Sequence, residues 1–284
     1  MVKLNAAQLE AVRHLDSPLL VLAGAGSGKT RVITHKIAWL VDDYGVKPTQ
    51  IAAITFTNKA AKEMKERVGK LIGTRAEGLI VSTFHALGVR ILRQEAPKLG
   101  LKPGFSILDA ADTSALFQEL AGSVDKGRLR ALQSRISLWK NQLVDPAAAL
   151  KDAADEVEAA AAELYAAYER TLRAYQAVDF DDLIRLPVQL FSEQDEVAQR
   201  WRSRIWHLLV DEYQDTNRGQ YRLLQLLTQG RNSFTAVGDD DQSIYAWRGA
   251  DSENLRLLKE DYPNLKVVKL EQNYRSTARI LTAA

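Results

Sequence analysis

The sequence predicts an α/β protein in which a parallel sheet is interrupted by an all-α insertion. Three observations predict it. Short apolar runs at 19–22, 51–55, 79–81, 206–210 and 234–238 each stop at glycine, polar or charged residues, as buried parallel strands do when helices cover both faces. Helical spacing follows the first two runs, over 31–41 and 60–72. Between about 86 and 204 the strand signals nearly vanish and helical stretches succeed one another, so that segment reads as an insertion between two strands.

Composition bounds the function classes. A length of 284 residues suggests about two domains, and 46% hydrophobic content is enough for a packed core in each. With no cysteine, disulfides and thiolate metal sites are excluded. The opening MVKLNAAQLE lacks the basic-then-apolar build of a signal peptide, and no apolar run approaches a membrane span. The expectation is a soluble, cytoplasmic protein with no membrane partner. A formal charge of +2 and a pI near 8.6 do not announce nucleic acid, so any such reading must rest on local patches.

Taking the elements in order, Asn5 and Gln8 form a capping box for a short first helix. The same Gln8 amide could instead read the edge of an adenine. The first strand then breaks at Ala23-Gly24-Ala25-Gly26-Ser27-Gly28-Lys29-Thr30, and a helix follows. Strand, glycine-rich turn and helix make a phosphate-binding loop: backbone N–H groups of 24–28 curl around a polyphosphate, Lys29 reaches the β and γ phosphates, and Thr30 offers a hydroxyl to Mg²⁺. The strict pattern begins with glycine where this chain has Ala23, a minor departure if that residue ends the strand with ordinary dihedrals.

The second strand delivers Phe56, Thr57, Asn58 and Lys59 to its carboxyl end, the edge where open α/β sheets bind ligands. Asn58-Lys59 followed by Ala61 lacks the acid of a guanine-reading motif, which disfavours a GTPase. The third run ends in Ser82, Thr83, Phe84 and His85 at the same edge. Helices are then expected at about 86–95, 110–121, 126–143, 146–176 and 180–191. Lys126, Arg128, Arg130, Arg135 and Lys140 occur with no acid among them, and phosphate contact or a solvated face are both open readings. Residues 145–196 carry thirteen acids against four bases, read as a solvated face. The four histidines show no metal-ligand spacing, and no zinc site is expected.

The strand at 206–210 ends in Asp211-Glu212. Beside a phosphate loop, one such carboxylate holds Mg²⁺ and its neighbour polarises the attacking water, so Asp211 is assigned the metal and Glu212 the water. Gln214 stands where a GTPase has glycine. The strand at 234–238 leads to Asp239, Asp240, Asp241 and Gln242, whose amide suits the γ-phosphate. Tyr245, Trp247 and Arg248 interleave rings with a cation, as proteins that stack single-stranded bases do.

The blocks AGAGSGKT, TFTNKAA, STFH, DEYQDTN, VGDDDQSIYAWRGA and LEQNYRS occur in this order. Together they resemble the first half of the superfamily 1A DNA helicases, the Rep, UvrD and PcrA group, with Rep members nearest. That resemblance implies a RecA-like sheet at 1–85 and 205–277, an inserted helical subdomain at 86–204, and the start of a following domain at 278–284. It implies that Gln8 reads adenine, that Arg31 and Tyr274 flank the adenine ring, and that Gln242 and Arg275 contact the γ-phosphate. Phe56, Asn58, Thr83, His85, Tyr245, Trp247 and Arg248 fall on positions lining the single-strand path. The block VDFDDL at 178–183 also resembles a family block, without independent chemistry. Expected ligands are ATP, Mg²⁺, single-stranded DNA and single/double-strand junctions, with replication or repair proteins as partners.

The family continues with a second RecA-like domain bearing a further arginine, whereas this sequence stops at Ala284. The expected activity is therefore that of one motor half: ATP and DNA binding, little hydrolysis and no unwinding. The competing readings are an ATP-regulated DNA-binding module and a small-molecule kinase, although no lid with arginines is evident for the latter.

Overall fold

The computed structural model describes residues 4–122, 124–231, 233–239 and 253–274. It is a mainly helical α/β structure with a six-stranded parallel sheet. The chain divides into two compact units. One comprises Met1–Phe84, Glu196–Thr216 and Leu224–Ala284, and the other His85–Asp195 and Asn217–Leu223.

In the first unit, Asn5 caps α1 (Ala6–Arg13), and both bonds of its capping box with Gln8 form. β1 (Leu19–Ala23) runs through the glycine turn into α2 (Lys29–Asp42). The buried Lys36 of α2 donates to the carbonyls of Ala11 (3.0 Å) and His14 and so ties α1 to α2. β2 (Ile51–Thr55) leads to α3 (Asn58–Ile72), capped by the Thr57 hydroxyl, and β3 (Ile80–Thr83) leads directly into α4 (Phe84–Glu95).

The second unit holds α5 (Ala110–Ala121), α6 (Lys126–Asn141), α7 (Pro146–Lys151), α8 (Glu156–Ala174) and α9 (Asp182–Glu193). A two-stranded parallel pair, β4 (Ser106–Ile107) and β5 (Ala177–Val178), lies within it. Leu116, Phe117, Leu129, Ile136, Trp139, Tyr165, Tyr168 and Leu172 form its core. The single alanine-rich helix expected over 146–176 is two helices, because Asp155 accepts from the Glu158 N–H and starts a new one.

α10 (Asp195–Arg204), which the sequence did not suggest, precedes β6 (His207–Val210), and α11 (Arg218–Thr228) precedes β7 (Phe234–Gly238). α12 (Glu253–Asp261) and β8 (Lys266–Leu270) follow. The strand order is β3-β2-β6-β7-β1-β8, with every pairing parallel. Residues of β1, β2, β6 and β7 are almost all buried, as central strands covered on both faces require. Leu19, Val21, Val32, Ile33, Ile37, Ala53, Leu209 and Val237 share one core. Because all strands run the same way, the phosphate loop, Phe56, Asp211 and Asp239 emerge at one sheet edge. Among the described residues no helix is long and apolar enough to cross a membrane.

Candidate functional site

The loop after β1 needs glycine at two points: Gly26 (φ 77°) and Gly28 (φ 95°) lie in the left-handed region. A side chain at Gly28 would also meet Gln8 Nε2 at 2.7 Å. Ser27 Oγ donates to the Gly24 carbonyl at 2.7 Å and closes the turn. Lys29 opens α2, placing its ammonium at the helix N-terminus, where backbone N–H groups favour an anion.

The Lys29 ammonium lies 3.5 Å from Glu212 Oε2 and 3.7 Å from Asp239 Oδ2. Both contacts are longer than hydrogen bonds, and among the described residues this buried nitrogen makes none. A cation so placed fits a phosphate oxygen. Across the site, Asp211 accepts from the Glu212 N–H at 3.0 Å. Burial, and then the adjoining Glu212 carboxylate, push the Asp211 carboxyl up to about 7. Asp215 is pushed up to about 6, again by burial first and Glu212 second. Asp211, buried beside Glu212, offers carboxylate oxygens of the kind that magnesium takes one or two of. Glu212 itself has φ 49°, an uncommon conformation for a non-glycine residue.

Residues 272–274 pack on the loop from the segment after β8. Asn273 Nδ2 donates to the Ala25 carbonyl at 2.7 Å, and the Tyr274 N–H donates to the Gly26 carbonyl at 2.9 Å. Asn5 Nδ2 donates to the Tyr274 hydroxyl at 2.8 Å. The Arg31 guanidinium carbon is 5.7 Å from the Tyr274 ring centroid. They are already cation–π partners, so an adenine between them would have to part them. Gln8 is fully buried, donating to the Ser27 carbonyl at 3.0 Å and accepting from the Asn5 N–H. The capping arrangement is thus observed, and reading adenine would require this amide to turn.

Residues 4–263 match the family model of the UvrD/REP helicase N-terminal domain. The chain belongs to the UvrD/REP helicases. It is 53% identical to the ATP-dependent DNA helicase Rep of Escherichia coli (strain K12) over 287 residues, which cover 100% of this chain and 43% of that protein. It is 46% identical to the ATP-dependent DNA helicase PcrA of Staphylococcus aureus (strain Mu50 / ATCC 700699) over 285 residues, 99% of this chain and 39% of that one. The chain therefore spans less than half the length of these UvrD/REP relatives.

The structure distributes the UvrD/REP chain's expected DNA residues unevenly. Phe56 is half-buried after β2 and Asn58 is exposed at the start of α3. Thr83 is 8% exposed, packed inside the sheet unit rather than on an open surface. His85 belongs to the helical unit, stacked on Phe180 with ring centroids 3.9 Å apart. Burial lowers its imidazole to about 4, so it is neutral at physiological pH and presents an aromatic ring rather than a charge. Gln242, Tyr245, Trp247, Arg248 and Arg275 lie outside the described residues.

The basic helix is corrected in part. Lys126, Arg128 and Arg130 are exposed, as phosphate contact requires. Arg135, however, is paired with Glu158 and lies over the Trp139 ring. Lys140 is fully buried, 2.5 Å from Asp179 Oδ2 and 3.0 Å from both Glu169 Oε1 and Asp182 Oδ1. The block at 178–183 thereby acquires a role in holding the helical unit together. Sequence reading named Gln214 and Asp239 without giving either a role at the site, and it did not single out Asn273.

Proposed function

We propose that this chain is the first motor half of an ATP-dependent DNA helicase that translocates 3′ to 5′ on single-stranded DNA. Its RecA-like sheet would comprise 1–85 and 205–277, with 86–204 inserted. The observation that carries the proposal is the meeting of Lys29, Asp211, Glu212 and Asp239 at one edge of one parallel sheet. Lys29 and the loop N–H groups would hold the β and γ phosphates, Gln242 and Arg275 would contact the γ-phosphate, and Arg31 with Tyr274 would take the adenine. Mg²⁺ fits Thr30 and Asp211, since this ion is usually bound by one or two protein carboxylates plus phosphates and water. Bound there, it would neutralise charge developing on the phosphates. Glu212 would orient the attacking water and accept its proton.

DNA would cross the same edge, touching Phe56, Asn58, His85, Tyr245, Trp247 and Arg248, with the packed Thr83 behind that surface. Stacking is worth about 1–3 kcal/mol per base and tolerates any sequence, whereas basic contacts make affinity fall with salt. Trp247→Ala is expected to weaken single-strand binding at every salt concentration and leave the salt slope nearly unchanged, as read by fluorescence anisotropy across a salt series. A changed slope with unaltered low-salt affinity would show that Trp247 does not stack. A cytoplasmic location with replication or repair partners goes with this reading.

The second reading, an ATP-regulated single-strand-binding module with negligible turnover, is favoured for the 284-residue polypeptide because its described residues form a single six-stranded sheet. Motors of this kind close two RecA-like domains on ATP and open them after hydrolysis. An arginine supplied from a facing domain typically contributes about 10³ to 10⁵ in rate. The 284 residues on their own are expected to bind Mg-ATP weakly, hydrolyse it very slowly with little DNA stimulation, and separate no strands. A strand-displacement assay on a 3′-tailed duplex checks this, and ATP-dependent unwinding by the monomeric polypeptide overturns it.

A further inference from the structure

Gln214 is 2% exposed and spends both ends of its amide on the site. Its Nε2 donates to Glu212 Oε2 at 2.8 Å, and its Oε1 accepts from the Asp239 N–H at 3.0 Å. Gly238 leaves room for it, because a Cβ there would stand 2.8 Å from Gln214 Oε1. Asp239 and Glu212 are in turn the two carboxylates beside Lys29, at 3.7 and 3.5 Å. Lys29, Glu212, Gln214 and Asp239 thus close a ring joining the phosphate loop and the ends of β6 and β7.

We infer that Gln214 is the positioning residue that aims the Glu212 carboxylate at the attacking water. Resting on the proposed ATP hydrolysis, the inference follows from what nucleotide does to the ring. The Glu212 side chain is 37% exposed, so the groups its carboxylate meets set its direction. Lys29 and Gln214 both restrain it. Once a phosphate takes the Lys29 ammonium, the longer contact at 3.5 Å gives way and, among the described residues, the Gln214 amide keeps Glu212 in place. Because Gln214 is anchored on the Asp239 backbone, it holds Glu212 in register with the end of β7.

The test compares the wild-type chain, Gln214→Met, Gln214→Glu, Glu212→Gln and the double variant Gln214→Met/Glu212→Gln. Met keeps the length and loses the donor, whereas Glu keeps an acceptor for the Asp239 N–H and turns a carboxylate toward Glu212. The probes are a fluorescent non-hydrolysable Mg-ATP analogue, for the ground state, and Mg-ADP with aluminium fluoride, which mimics phosphate under attack by water. Both Gln214 variants should bind the ATP analogue within about twofold of wild type and bind the fluoride complex about tenfold or more weaker. In the Glu212→Gln background, Gln214→Met should cost nothing further, because an effect exerted through Glu212 disappears with it. Equal losses for both probes, or additive losses in the double variant, overturn the inference. Failure of the wild-type chain to bind the ATP analogue is a different result, and it overturns the proposed nucleotide function itself.

Discussion

Lys140→Met is expected to destabilise the helical unit by about 3–5 kcal/mol, the usual consequence of deleting one partner from a buried ion cluster. The Lys140 side chain is 0% exposed and its ammonium serves Asp179, Asp182 and Glu169 together. Arg185 pairs with Glu169 and Asp182 at 2.5 and 2.7 Å, and the Tyr168 hydroxyl donates to Asp179. Removing Lys140 would leave Asp179 with no cation in this set. Burial opposes ionisation of Asp182, yet Lys140 and then Arg185 overcome it and hold that carboxyl below its usual range. Burial and neighbouring Asp182 already push Asp179 up to about 6, against the pull of Lys140. In the variant Asp179 should rise further above its unfolded value. A carboxyl raised in the folded state binds more protons folded than unfolded, so it costs stability as pH rises through that window. The deficit of Lys140→Met should therefore be smaller near pH 5 than near pH 8. Urea denaturation at the two pH values, with Arg128→Ala as an exposed control expected within about 0.5 kcal/mol of wild type, checks both statements. A loss at pH 8 as small as the control's would mean that the cluster relaxes around the missing charge.

That cluster shows where sequence reading stops. Lys140 sits among like charges on α6, and its partner Asp179 lies 39 residues away, so spacing within the helix gives no hint of burial. The central strands were legible because burial on both faces makes them continuously apolar, as in Ile51–Thr55 and Phe234–Gly238. β8 escaped because KVVKL exposes Lys266 and Lys269 while burying Val268 and Leu270, the alternation of a sheet-edge strand that reads as polar. In the alanine-rich stretch propensity is uniform, and only the cap at Asp155 marks the break. At the candidate site, Lys29, Asp211 and Glu212 were legible because each lies at a fixed offset from a strand end. Gln214 and Asn273 were not, since their bonds reach residues 25 and 248 positions distant.

Lys29→Ala and Glu212→Gln are expected to separate nucleotide binding from hydrolysis. The Lys29 ammonium is the cation facing Glu212 and Asp239, with Asp211 beside them. Without it a polyphosphate would approach a set of carboxylates with no lysine to offset their repulsion. Charge-assisted hydrogen bonds contribute about 1.5–3 kcal/mol, so affinity for a Mg-ATP analogue should fall about 10- to 150-fold. The fold should persist, because the loop is held by Ser27, Gln8, Asn273 and the Tyr274 backbone, none of which bonds to Lys29. Glu212→Gln acts at a different stage. The amide keeps the shape of the carboxylate and an oxygen for Gln214, so analogue affinity should stay within about twofold, and the weaker charge beside the phosphates favours retention. Lost is the group proposed to accept a proton from the attacking water, and removing such a group typically costs about 10² to 10⁴ in rate. Analogue titrations and single-turnover hydrolysis, measured on both variants, read the two stages separately. Unchanged analogue affinity in Lys29→Ala would detach Lys29 from the phosphates. Single-turnover hydrolysis at the wild-type rate in Glu212→Gln would pass the proton to another carboxylate, with Asp215, pushed up to about 6 by burial and by Glu212, the next to replace.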